Sequence, residues 1–238
     1  MEYYLFLVPR ALALLIPGLD GTGRLYYRQI ERLEERYRVL AWNFGPGGAF
    51  DHAKLVAALA EATSAEPAGS VLVVGESFGG TVAIAFALAH PDRVRTLALV
   101  NAFPRYRRRL RIGLACRLSP LLAWARARAL KDRIVTRTLE RESIAPEDRR
   151  RYLEVVRGVD RAGYCRRLEL VRDVDLRGRL GEIRARTVLF ASGRDRLVPS
   201  LEEARFMAAR IAGAELHEFP DAGHALLLTP GFFLADYL

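Results

Sequence analysis

Cysteine is nearly absent from this chain of 238 residues, with Cys116 and Cys165 the only two. Two cysteines this far apart make neither a disulfide framework nor a zinc site, and both read as ordinary thiols of a reducing compartment, with a bridge between them left open. Clustered Cys, His and carboxylate ligands are missing too, so no metal and no cofactor is expected. Uninterrupted apolar runs are short, and none reaches the roughly 20 residues that span a bilayer. The apolar N-terminus MEYYLFLVPRALALLIPG lacks a basic leader and is broken by Pro9 and Arg10, which argues against a signal peptide and for a cytoplasmic protein. Repeats and low-complexity linkers are absent. With 51% hydrophobic residues, the chain has enough apolar side chain to bury one large core.

Lysine is scarce as well: the chain has 2 Lys against 35 Arg and a formal net charge of +9. The charge is unevenly spread. Residues 104–184 hold 23 Lys and Arg against 11 Asp and Glu, a balance of +12 that leaves −3 for the rest. This stretch reads as helical, with Pro120 and Pro146 as helix boundaries. Around it, apolar runs near 11–16, 37–44, 71–74, 94–100, 187–191 and 214–219 alternate with helical patterns. That is the signature of an α/β fold with a mostly parallel, twisted sheet flanked by helices. The reading is one catalytic domain: a core from 1–103 and 185–238, interrupted by an arginine-rich helical cap over 104–184, before the strand that leads to the candidate acid.

The most informative stretch is SVLVVGESFGG, residues 70–80. Val71 to Val74 read as a strand buried on both faces, and TVAIAFALAH as a buried helix. Between them stands Ser77, at the apex of a sharp turn where Gly75 and Gly79 remove side chains that would clash. This is the sequence form of a nucleophile elbow. A serine hydroxyl is a weak nucleophile near neutral pH, so the elbow calls for an acid and a histidine further along. Asp195, in the loop after the strand at Thr187 to Ala191, and His224, in the loop after AELHEF, supply them in that order. The other histidines have structural readings: His52 starts a helix, His217 lies in a strand and His90 ends a helix before Pro91. Asp221 sits in a Pro-Asp-Ala-Gly turn, where Asp bonds local backbone. Asn101, at a strand end where some hydrolases place the acid, cannot supply a charge. The glycine loop in LLIPGLDGTG, with Gly18, follows the strand from Ala11 to Ile16 and offers the Leu19 N–H, beside that of Phe78, as an oxyanion donor. As a phosphate loop it would lack the Walker Lys-Ser/Thr ending.

These residues resemble the α/β-hydrolases of the esterase, lipase and acyltransferase kind, from about residue 11 to the end. PGLDGTG, GESFGGTVAIAFA, SGRDRLVPSLEEARFMAARI and DAGHALLL are most similar to the hydrolase domain of plant phytyl ester synthases and their bacterial relatives. The resemblance implies Ser77 as nucleophile, Asp195 as acid and His224 as base, and a fatty acyl or short-chain ester as small-molecule substrate. The plant enzymes carry a further acyltransferase-like domain, which this sequence does not contain, so hydrolysis is expected over transfer. Acyl transfer to an alcohol, thioester hydrolysis, other reactions of the fold and a non-catalytic ligand-binding relative stay open at this point.

Within the cap, Leu118, Leu121, Leu122, Trp124 and Leu130 are candidates to line an acyl pocket, with packing between cap helices as the competing role. The charge of RYRRRLRIGLACRLSPLLAW has three readings: contact with an anionic lipid surface, an acidic handle on the substrate, or a solvated arginine-rich surface. Nucleic acid is not expected, since no binding module accompanies the charge.

Overall fold

A computed structural model describes residues 10–47, 50–107, 133, 136 and 144–238. Cys116 and the five cap candidates Leu118, Leu121, Leu122, Trp124 and Leu130 lie outside the described residues. Six strands form one sheet: β1 (Leu12–Ile16), β2 (Arg38–Ala41), β3 (Val71–Glu76), β4 (Val94–Val100), β5 (Arg186–Ser192) and β6 (Glu215–Phe219). Their order is β2-β1-β3-β4-β5-β6, and every neighbouring pair is parallel.

Burial explains why the central strands read as unbroken apolar runs. Leu12, Leu14 and Ile16 point into one core layer with Val71 and Val73, while Ala13 and Leu15 join Leu72, Val74 and Phe190 in the other. Each inner strand is therefore covered on both faces, and alternation has no solvent side to report. The edge strands differ. β2 and β6 carry exposed residues, as the mixed sequences RVLA and ELHEF require.

The helices among the described residues, numbered in chain order, are α1 (Tyr27–Glu34), α2 (His52–Ala62), α3 (Phe78–Ala89), α4 (Pro146–Arg157), α5 (Arg161–Asp173) and α6 (Ser200–Ala208). Asp51 caps α2 by accepting from the Lys54 N–H at 2.8 Å, and Pro146 stands in the first turn of α4, where its missing N–H costs nothing. No described helix is long and apolar enough to cross a membrane.

Helices α4 and α5 belong to the arginine-rich segment. Tyr27 and Arg28 of α1 both donate to Asp148 in the first turn of α4, and the Arg151 guanidinium lies 3.7 Å from the centre of the Tyr27 ring. Leu170 and Val171 of α5, with Leu180 and Ile183 beyond it, pack into the same core layer as Leu12 and Val73. Part of the charge here is matched locally: Arg105 and Arg177 face Asp175, Arg107 faces Glu202 and Glu203, and Arg179 faces Glu182.

The strand order sets where chemistry can happen. Among the described residues the path steps from β1 outward to β2 and returns to the other side of β1 as β3, so the loops after β1 and β3 diverge from a crevice at the C-terminal edge of the sheet. Open α/β sheets bind their ligands at such a reversal.

Candidate active site

Ser77 occupies the single residue between β3 and α3 and adopts φ 54° and ψ −118°. A non-glycine residue at positive φ is strained, at about 1–3 kcal/mol, and persists only where its surroundings enforce it. The surroundings here are backbone. A Cβ on Gly75 would stand 2.6 Å from the Gly79 carbonyl oxygen, and one on Gly79 would stand 2.2 Å from that of Ile16. The Ser77 N–H donates to the Val100 carbonyl at 2.9 Å, which ties the turn to β4. Any side chain at 75 or 79 would pry α3 off the sheet and take Ser77 with it.

The glycine loop after β1 lies against this turn. A Cβ on Gly18 would fall 3.4 Å from that of Ser77 and 2.4 Å from Oε2 of Glu76. Phe78 is the first residue of α3, so its main-chain N–H belongs to the unsatisfied helix start. Leu19 and Ser77 line one cavity. The loop is gripped from α5 by Arg167, a buried arginine whose Nε donates to the Leu19 carbonyl at 3.0 Å and whose terminal nitrogen reaches that of Asp20 at 3.4 Å. Gly21, at φ 75°, makes room: a Cβ there would stand 2.6 Å from the guanidinium carbon. The Asp20 carboxylate in turn accepts from the N–H and hydroxyl of Thr22, at 2.8 and 2.6 Å.

Asp195 and His224 lie on the loops after β5 and β6 and meet at 2.7 Å, Oδ2 to Nδ1. Burial works against a charge on Asp195, but His224, the Ser200 hydroxyl and the Val198 N–H outweigh it and hold the carboxyl below its usual range. Its other oxygen accepts from the N–H groups of Leu197 and Val198 at 2.9 and 3.0 Å. An ionised carboxylate can only accept, so Nδ1 carries a ring proton while Nε2 is the nitrogen turned to the other side of the ring. Ser77, Glu76 and His224 all line that cavity. Asp221 is elsewhere: it is an exposed partner of Arg194, at 2.5 Å. His52 starts α2, His217 lies in β6 and His90 follows the last turn of α3.

Two residues of the site have roles that the sequence reading did not assign. Asn101, at φ 46° just past β4, donates from Nδ2 to the Ser192 hydroxyl (3.0 Å) and the His224 carbonyl (2.9 Å), and accepts from the Ser192 N–H at 2.9 Å. It fastens the histidine loop to the sheet edge. Replacing it with alanine leaves these buried partners unmatched and puts a β-carbon residue without a local hydrogen bond at positive φ, so Asn101→Ala is expected to cost about 2–4 kcal/mol. Denaturant unfolding checks this, and a midpoint equal to that of the wild type would contradict it. The second is Glu76, whose Oε1 stands 3.7 Å from His224 Nε2. Its signal was in the motif itself, as the residue before the serine.

The apolar wall of the cavity comes from Leu25, Leu197 and, in the arginine-rich segment, Tyr152, Val156 and Val159. The last three recur at helical spacing, which was readable within RRYLEVVRGV. Among the described residues, no group of three or more His, Cys, Asp or Glu side chains is arranged to hold a metal ion.

Comparison with known proteins agrees with this architecture. A sequence profile described as "Alpha/beta hydrolase family" matches residues 13–236. A pimeloyl-[acyl-carrier protein] methyl ester esterase of Chromobacterium violaceum is 32% identical over 230 residues, covering 90% of this chain and 87% of that protein. A Serratia proteamaculans protein with the provisional name carbamate hydrolase RutD is 27% identical, over 90% of this chain and 84% of its own length. Among solved structures, a hydrolase from Pseudomonas aeruginosa superposes with a TM-score of 0.77 at 25% identity, covering 91% of this chain and 83% of that one.

Proposed function

The chain belongs to the alpha/beta hydrolase family, and from that premise we propose that it hydrolyses carboxylic esters, with Ser77 as nucleophile, His224 as general base and Asp195 as its orienting acid. One observation carries the reading: a serine in a strained strand-to-helix turn shares a cavity with a histidine whose far nitrogen is held at 2.7 Å by a buried carboxylate. Ser77 Oγ attacks the acyl carbon as Nε2 takes its proton. The oxyanion forms against the N–H groups of Phe78 and Leu19. Collapse expels the alcohol, which takes the proton from Nε2 and leaves the acyl group on Ser77. Water, deprotonated by Nε2, then attacks the acyl-enzyme and releases the acid.

The related esterase from Chromobacterium violaceum favours an ester as the bond cleaved, and the apolar wall of Leu25, Val156 and Leu197 favours an aliphatic acyl chain. Contact with an anionic lipid surface through the arginine-rich segment is part of the proposal. So is its role as a cap over residues 104–184, since Tyr152 and Val156 of α4 stand over the cavity. A p-nitrophenyl ester series from acetate to palmitate, run with and without a long-chain alcohol, is the test. Acid release with one chain-length optimum is expected, and ester product from the alcohol would instead favour transfer, as the phytyl ester synthase resemblance would have it. No turnover of any ester, with turnover of a p-nitrophenyl carbamate, would replace the ester by the bond named for the second relative.

A further inference from the structure

The carboxyl of Glu76 sits where the reaction needs a proton handled. It ends β3 beside Ser77, its side chain is 12% exposed, and Oε1 faces the reactive edge of His224 at 3.7 Å, opposite the Asp195 contact at 2.7 Å on the other edge. Imidazole is thus flanked by a carboxyl at each nitrogen. The loop after β1 lies directly against this carboxyl: a Cβ on Gly18 would stand 2.4 Å from Oε2 of Glu76, so any larger residue there must displace the carboxyl.

We propose that Glu76 is a positioning residue that acts through His224: its carboxyl faces the Nε2 edge, and its charge sets the pH at which His224 becomes free to act as a base. This rests on the reading of His224 as the general base. The titratable groups facing Glu76 come from four elements: Asp20 from the loop after β1, Tyr26 from the turn preceding α1, Asp195 from the loop after β5 and His224 itself. Tyr152 of α4 and Tyr164 of α5 line the same cavity. Burial pushes the Glu76 carboxyl up to about 7; His224 opposes this, the negative charges of Asp20 and Asp195 add to it, and the Gly18 N–H pulls it back. Such a carboxyl exchanges its proton in the range where histidine does, and two groups this close titrate as a pair.

The sign follows from charge. Ionised Glu76 favours the imidazolium, so it keeps His224 protonated, and unable to accept the serine proton, to higher pH. Glutamine preserves the shape and removes the charge. In Glu76→Gln the acid limb of the kcat/KM profile should therefore move down by about one pH unit. Turnover on the alkaline plateau should fall about tenfold, because the imidazolium of the transition state loses a partner. Glu76→Asp, which withdraws the carboxyl from Nε2, should give an intermediate profile.

A readout independent of turnover keeps the two readings apart. In wild-type protein, NMR of the Glu76 carboxyl carbon and the His224 ring nitrogens should report the same pair of titration midpoints, and in Glu76→Gln the ring should titrate in a single step with its midpoint lower by about one unit. Carboxyl and ring titrations with no midpoint in common in the wild type, or coincident ring titrations in wild type and Glu76→Gln, overturn the proposal even if Ser77-dependent ester hydrolysis is found. Shared midpoints without any ester turnover leave the role of Glu76 standing and remove the ester reading instead.

Discussion

Ser77→Ala is expected to abolish labelling by a fluorophosphonate probe and to lower ester turnover by about 10⁵- to 10⁶-fold, with no change in the unfolding midpoint. In the proposed mechanism the loss is large because the hydroxyl is the atom that forms the covalent bond. On that mechanism His224 would then have no proton to take, and the remaining rate would come from binding and from the two proposed N–H donors alone. The fold does not change for a separate reason. The φ of 54° at this position is imposed by the backbone approach of Gly75 and Gly79 and by the Ser77 N–H bond to Val100, none of which involves the hydroxyl. Labelling that survives the substitution would remove Ser77 from the nucleophile role.

The second large effect is Asp195→Asn, for which turnover should fall by about 10⁴-fold while the protein stays folded. The side chain has two tasks. Oδ1 accepts the N–H groups of Leu197 and Val198, and an amide oxygen can do the same. Oδ2 faces His224 Nδ1, and an amide NH2 there would offer a donor to a donor. The ring is then driven to the tautomer with its proton on Nε2, so the nitrogen in the cavity can no longer accept from Ser77. Asp195 is held ionised against burial, so an acid limb near neutral pH should not arise from Asp195. A profile of Asp195→Asn with wild-type amplitude would point to Glu76 as the carboxylate that supports the imidazole.

Most of the fold was legible because burial on both faces makes the inner strands of a parallel sheet unbroken apolar runs. LALLI, VLVVGE and RTVLFAS announce themselves this way. The elbow was legible because steric exclusion at Gly75 and Gly79 leaves only one residue type possible at each. What could not be read is what depends on contacts between distant loops. Asn101 is one polar residue after a strand, and its partners Ser192 and His224 lie 91 and 123 residues further along, so no local pattern marks it. Glu76 was in plain view, yet its pairing with His224 exists only once the loops after β3 and β6 meet. The cavity wall was sought at 118–130, outside the described residues. Tyr152, Val156 and Val159, which do line the cavity, recur at helical spacing, but spacing alone does not say which face of a helix meets a cavity.

The grip of Arg167 on the loop after β1 bears on how hydrolases of this kind can be recombined. The guanidinium belongs to α5, while the carbonyls that it holds, Leu19 and Asp20, and the glycine that leaves room for it, Gly21, belong to the first loop of the core. A graft that exchanges the arginine-rich segment for that of another hydrolase therefore severs a lock from its key unless the two pieces are transplanted together. In breeding new substrate preferences from this scaffold, residues 18–23 and helix α5 form one heritable unit, although about 140 positions of sequence separate them.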